Sequence, residues 1–113
     1  MKKIEAIIRP EMLNQVKDAL VEAGFSGLTT TQVTGRGAQR GIVHTGRSGQ
    51  SVVIDMLPKL KLEMVVSDSD VDRAIDVIVD VSRTGEIGDG KIFVQPVEQV
   101  VRVRTGERGE AAI

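Results

Sequence analysis

A chain of 113 residues is one domain's worth, and such a domain buries roughly two-thirds of its unfolded surface, so one ordinary core suffices without covalent staples. With 15 basic and 16 acidic residues the net charge is -1, which removes any bulk electrostatic argument for nucleic acid or an anionic membrane as the main partner. The absence of Cys, Tyr and Trp removes disulfides, thiolate chemistry and aromatic base-stacking platforms.

No amino-terminal segment has the layout of a signal peptide and no apolar run approaches about 18 residues, so a cytoplasmic location is expected. From Lys3 to Arg9 the residues alternate, with Ile4, Ala6 and Ile8 on one side of a first strand. Pro10 interrupts the ladder and opens a helix whose apolar face is Leu13, Val16, Leu20 and Ala23, with Gly24 as its carboxyl cap. The threonine-rich run from Gly27 to Thr34 reads as a second strand. Between Gly35 and Asp55 glycines and arginines are interspersed without a helical or strand period, giving a loop of about 20 residues, a length that is normally functional or disordered. Only its last part, Ser51 to Ile54, has an extended character.

Alternation returns at Pro58, with Leu60, Leu62, Met64 and Val66 facing one way. Ser67 or Asp68 is expected to cap a second helix whose buried stripe is Val71, Ala74, Ile75, Ile78 and Val81 or Ser82. A fourth strand, Lys91 to Gln95, ends at Pro96, and the tail from Val97 alternates again, which places Arg102 and Arg104 on one side of an extended segment about 7 Å apart. The order strand, helix, strand, strand, helix, strand is that of a ferredoxin-like α+β sandwich, an antiparallel sheet with both helices on one face. Ile7, Thr29, Thr31, Val65 and Phe93 populate the other face, a set apolar enough to suggest that a second copy of the chain covers it.

Between the second helix and the fourth strand lies Thr-Gly-Glu-Ile-Gly-Asp-Gly-Lys, from Thr84 to Lys91. Gly85, Gly88 and Gly90 keep side chains away, so backbone N–H groups can approach an anion, and Lys91 adds a point charge. The same residues also read as a tight turn feeding a strand. Arg102 and Arg104, as forked donors, suit phosphates, or form a solvated basic edge. Catalytic constellations are poor: His44 has no identifiable partner, no zinc spacing occurs, and Asp68, Asp70 and Asp72 fit helix-terminal charge better than a calcium loop.

Taken together, the opening Met-Lys-Lys-Ile-Glu-Ala-Ile-Ile-Arg-Pro, Leu57-Pro58-Lys59, Thr84 to Val94, and Val-Arg-Val-Arg-Thr-Gly-Glu-Arg-Gly-Glu-Ala-Ala-Ile at the carboxyl end resemble the PII signal-transduction proteins, regulators of nitrogen metabolism. The resemblance runs over residues 1–113 and implies a single PII domain, with a T-loop at 35–55, a nucleotide-binding loop at 82–91 and a carboxyl-terminal loop and tail at 96–113. It implies a non-enzymatic homotrimer that binds ATP or ADP between subunits and, with Mg2+ and ATP, 2-oxoglutarate. By motif, Gly88, Asp89, Gly90 and Lys91 wrap the phosphates, Arg102 and Arg104 clamp them across the interface, and Thr29 and Met64 lie near the adenine. Gly37 and Gln39 belong to the binding set at the base of the T-loop, Gln39 as the Mg2+ ligand, and Lys59 pairs with a 2-oxoglutarate carboxylate. The T-loop then docks on a target protein such as an ammonium transporter or a nitrogen-assimilation enzyme, with membrane contact only through a transporter.

Two departures accompany the resemblance. Relatives carry Tyr-Arg-Gly-Ala-Glu-Tyr where this chain has Thr45 to Ser51, so tyrosine modification is excluded; Ser48 or Ser51 is the alternative position, and an unmodified loop is favoured. Ala38 replaces a usual basic residue, and Arg36 or Arg40 is the substitute contact. The segment Gly-Arg-Gly-Ala-Gln-Arg-Gly resembles the branch that controls nitrogenase, a second class of target. An ATP-using enzyme on the same sandwich is the remaining alternative and lacks a general base.

Overall fold

The computed structural model describes residues 1–36, 42–45, 51–54 and 56–113. Its main sheet is antiparallel, with β1 (Lys2–Ile8) between β5 (Leu57–Val66) and β6 (Gly90–Pro96), and β2 (Thr29–Gly35) outside β5, in the order β2-β5-β1-β6. Helices α1 (Leu13–Glu22) and α2 (Val71–Ser82) pack against each other over one face, which is the ferredoxin-like arrangement anticipated from the element order.

Period-two patterning places the core. Ile4, Ala6 and Ile8 stand opposite Met64, Leu62 and Leu60 across β1 and β5, and all six are buried against Val16, Leu20, Ala74 and Ile78 of the helices. A one-residue slip of β1 would exchange this set for Lys3, Glu5 and Ile7, so the register is strongly specified. Pro10 opens a short 3-10 turn (Pro10–Met12) before α1. Gly24, at φ 94°, ends α1 with the Phe25 N–H on the Leu20 carbonyl (2.8 Å) and its own N–H on that of Val21 (3.0 Å), a Schellman closure.

Three readings are corrected here. Neither Ser67 nor Asp68 caps a helix through its side chain; the Asp68 carboxylate instead accepts from the amino-terminal ammonium at 2.9 Å, which lowers its pKa, and a 3-10 turn (Asp68–Asp70) leads into α2. The stretch between Gly35 and Asp55 contains a two-stranded ribbon, β3 (Ile42–Thr45) paired with β4 (Ser51–Ile54); runs of four residues are too short to display a period. The tail is not extended through Arg102 and Arg104 but folds into a hairpin. The Arg102 N–H donates to the Glu107 carbonyl at 2.9 Å and the Gly106 N–H to the Arg102 carbonyl at 2.7 Å, with Val101 bridged to Arg108. Gly106, at φ 73°, supplies a turn that strand counting does not reveal.

On the face without helices Ile7 and Val65 are half-buried, Thr29, Thr31 and Phe93 are exposed, and charges run between them. Lys61 Nζ lies 3.8 Å from Glu5 and 3.7 Å from Glu63, and Lys3 Nζ lies 3.9 Å from Glu63. Such half-exposed pairs contribute about 0–1 kcal/mol each. Among the described residues no helix is long and apolar enough to cross a membrane.

Candidate functional site

The glycine-rich loop between α2 and β6 is organised from within. Asp89 Oδ2 accepts the N–H groups of Thr84 and Gly85, both at 2.9 Å, while Oδ1 accepts the Thr84 hydroxyl at 2.5 Å and Arg9 Nε at 3.3 Å. These donors, the Thr84 hydroxyl foremost, hold the Asp89 carboxyl down at about 2. Arg9 also donates to the Ile87 carbonyl (2.8 Å), and Lys59 Nζ to the Gly88 carbonyl (2.6 Å). Two cations from the sheet therefore pin two loop carbonyls outward. Among the described residues the Gly88 N–H meets no acceptor, whereas the Asp89 N–H closes the turn at Ile87–Gly88.

Each conspicuous residue of the loop has its own reason. Gly90, at φ 108°, begins β6 opposite Ile8, and a Cβ there would sit 1.7 Å from the Ile7 carbonyl oxygen, so this glycine is demanded by the β1–β6 pairing. Gly88, at φ 100°, lets Arg9 and Lys59 approach, with a Cβ position 3.3 Å from the guanidinium. The Asp89 carboxylate is committed to loop N–H groups, so whatever part Asp89 takes in holding an anion falls to its backbone. Lys91 is exposed on the face shared with Ile7.

A second group of expected residues lies elsewhere. A cleft of about 630 Å³ is lined by Thr29, Glu63, Met64 and Val65 of the sheet, by Phe25 and by the carboxyl-terminal Ala112 and Ile113. Thr29 stands in register with Glu63 on the helix-free face, whereas Met64 is only 4% exposed and belongs to the core side. Arg102 joins this group through bonds to Glu107 Oε1 (3.0 Å) and the Ala111 carbonyl (3.1 Å). Arg104 sits in the hairpin turn, exposed, with no partner among the described residues. Gly90 and Lys91 line a separate crevice beside α2.

Gly37 and Gln39, like Ala38, Arg40 and Ser48, lie outside the described residues. Among the described residues no group of three or more His, Asp or Glu could hold a metal ion. Sequence reasoning passed over Arg9, Thr84 and Glu63. Arg9 precedes the proline that ends β1, a position offering no pattern, and Thr84 at the amino end of an Asx-type turn could have been suspected from the Asp five residues later.

Comparison with known proteins agrees with this fold and its loops. Residues 1–107 match the family model described as nitrogen regulatory protein P-II. The chain is 56% identical over 113 residues to a nitrogen regulatory protein P-II of Azospirillum brasilense, covering 100% of both chains. It is 55% identical over 113 residues to nitrogen regulatory protein P-II 2 of Methanothermobacter thermautotrophicus, covering 100% of this chain and 97% of the relative. A Cereibacter sphaeroides protein of the same P-II description is 54% identical over the full length of both. The relatives' names are those of regulators rather than enzymes, and this chain belongs to the P-II nitrogen regulatory family.

Proposed function

We propose that the protein is an effector-sensing PII regulator in which ATP and ADP compete for a cleft between copies of the chain in a homotrimer. One observation supports this reading most strongly. Asp89, Gly90 and Lys91 line a crevice beside α2, whereas Thr29 and Met64 line a separate cleft, and a nucleotide held between two copies would reach both groups. On this reading the Gly88 amide and the Lys91 ammonium receive phosphates, with the base beside Thr29 and Met64 of the adjoining copy. Arg104, and Arg102 once released from Glu107, neutralise the distal phosphates.

The second effector would be 2-oxoglutarate with Mg2+ and ATP. Lys59 now donates to a neutral carbonyl, and exchanging that acceptor for a carboxylate gives a charge-assisted bond of roughly twice the strength. Gln39 would ligand Mg2+ and Gly37 would shape the base of the loop. The occupied site then selects among conformations of residues 35–55, which act on a target such as an ammonium transporter, a nitrogen-assimilation enzyme or, in the alternative class, nitrogenase. The reading treats residues 1–113 as a single PII domain, cytoplasmic, with its T-loop at 35–55, phosphate loop at 82–91 and tail at 96–113.

Calorimetry with ATP, ADP and AMP, with and without Mg2+ and 2-oxoglutarate, tests it. The expected result is mutually exclusive ATP and ADP binding, and 2-oxoglutarate binding only with Mg-ATP. Lack of any nucleotide binding removes the reading, and 2-oxoglutarate binding unaltered by Lys59→Met removes the lysine's role.

A further inference from the structure

We propose that the tail hairpin of one copy inserts Val103 into the crevice between α2 and β6 of the neighbouring copy. The proposal rests on the nucleotide reading above for its direction of approach, and adds an apolar lock to it.

The recipient is a crevice of about 300 Å³ walled by Ile75, Ile78 and Val79 of α2 and by Ile92 of β6. Within its lining Ser82 is 6% exposed and its hydroxyl has no hydrogen-bond partner, an orphan that a backbone group of a visiting turn would satisfy. Because β6 is the edge of the main sheet, no further strand of the chain shields that side. Asp89, Gly90 and Lys91 form part of the same crevice, so the phosphate loop and the apolar walls are continuous.

The inserting group is as unusual as the recipient. Val103 is 97% exposed at a hairpin turn, a place ordinarily given to Gly, Asn, Asp or Ser. It lies between Arg102 and Arg104, and consecutive Cα atoms are only about 3.8 Å apart. Arginines that reach phosphates on the loop therefore carry Val103 to the rim of the crevice. The charges at the rim are mixed: Asp76 and Asp80 are exposed on α2 next to Ile75 and Val79, while Arg83 and Lys91 line the crevice itself, so the apolar walls rather than charge favour the contact. The chain's own crevice is not the destination, since Val103 is exposed. The contact joins two different patches, a head-to-tail arrangement that closes into a ring. Each seated valine would make nucleotide binding and subunit contact reinforce one another.

The chain contains no cysteine, which makes disulfide trapping clean. The double variant Val79→Cys/Val103→Cys, oxidised with ATP present, is expected to run as a covalent oligomer on a non-reducing gel. Val21→Cys/Val103→Cys, with the first thiol exposed on the remote helix α1, is expected to remain monomeric. Val103→Asp should lower the oligomeric fraction in sedimentation at least tenfold, and Val103→Ile should leave it intact. If the Val79 and Val103 positions give no covalent oligomer, with or without bound ATP, the insertion is wrong. Calorimetry of the unmodified chain reports nucleotide binding separately: a cross-link without ATP binding supports the insertion and defeats the nucleotide reading.

Discussion

The phosphate loop and the tail hairpin carry the two halves of the same proposed chemistry, yet they are built oppositely. The loop from Thr84 to Gly90 turns the Asp89 carboxylate inward and has its carbonyls held by Arg9 and Lys59, so the Gly88 amide is left presented in a fixed frame. The hairpin spends Arg102 on Glu107 and Ala111 of its own tail and leaves Arg104 and Val103 exposed, Arg104 without a partner among the described residues. A preorganised loop loses little entropy on binding, whereas an exposed arginine gains a partner only when one arrives. The difference teaches that, on the proposed reading, the receiving half is organised within one chain and the clamping half would be completed by another.

The sharpest way to break the comparison is at the hinge of loop and strand. Gly90→Ala would drive a Cβ into the Ile7 carbonyl at a positive φ, and a loss of about 3–5 kcal/mol in urea denaturation is expected, with disruption at the start of β6. Next, Asp89→Asn removes the charge and one of the two acceptor oxygens that tie Thr84, Gly85 and Arg9 together, while keeping the volume. ATP affinity in calorimetry is expected to fall about tenfold, a loss of about 1.4 kcal/mol. Arg104→Ala tests the other half: ATP should weaken about tenfold and AMP hardly at all, and equal losses would detach Arg104 from the distal phosphates.

A pH titration separates the two regions more gently. The Asp89 carboxyl is depressed in the folded loop to about 2, so its stabilising contribution is complete above the ordinary carboxylate value of about 3.9 and is lost as pH falls through about 2. Amide shifts of Thr84 and Gly85 should therefore stay folded-like at about pH 3 and move near pH 2, while the hairpin amide of Gly106, whose bond is to a backbone carbonyl, should not follow that step. The smallest effect is expected on the helix-free face, where Lys61→Gln should cost about 0–1 kcal/mol by denaturation, since its carboxylate contacts lie near 4 Å and are half-exposed.

Legibility followed the range of the interactions. Ile4, Ala6, Ile8, Leu60, Leu62 and Met64 were readable as a core because alternation is local, and Gly24 because a helix end needs a left-handed residue. The ribbon of β3 and β4 was not, since each strand has only four residues and depends on its partner for definition. Phosphate chemistry at Gly88–Lys91 was suggested by composition and family pattern, but the order within it was hidden. Gly90 is required by the neighbouring strand, and the Asp89 carboxylate is the loop's internal cap.

By itself, then, the sequence determined the two-helix antiparallel sandwich and the family, because periodicity and motif are properties of neighbours along the chain. Tertiary structure alone decided that Arg9 and Lys59 brace the loop from 78 and 29 residues away, that the tail turns back on itself, and that Thr29 and Lys91 line different cavities. Those outcomes depend on which strands pair and in which register, and no local pattern encodes the distance between residues that meet only after the sheet has closed.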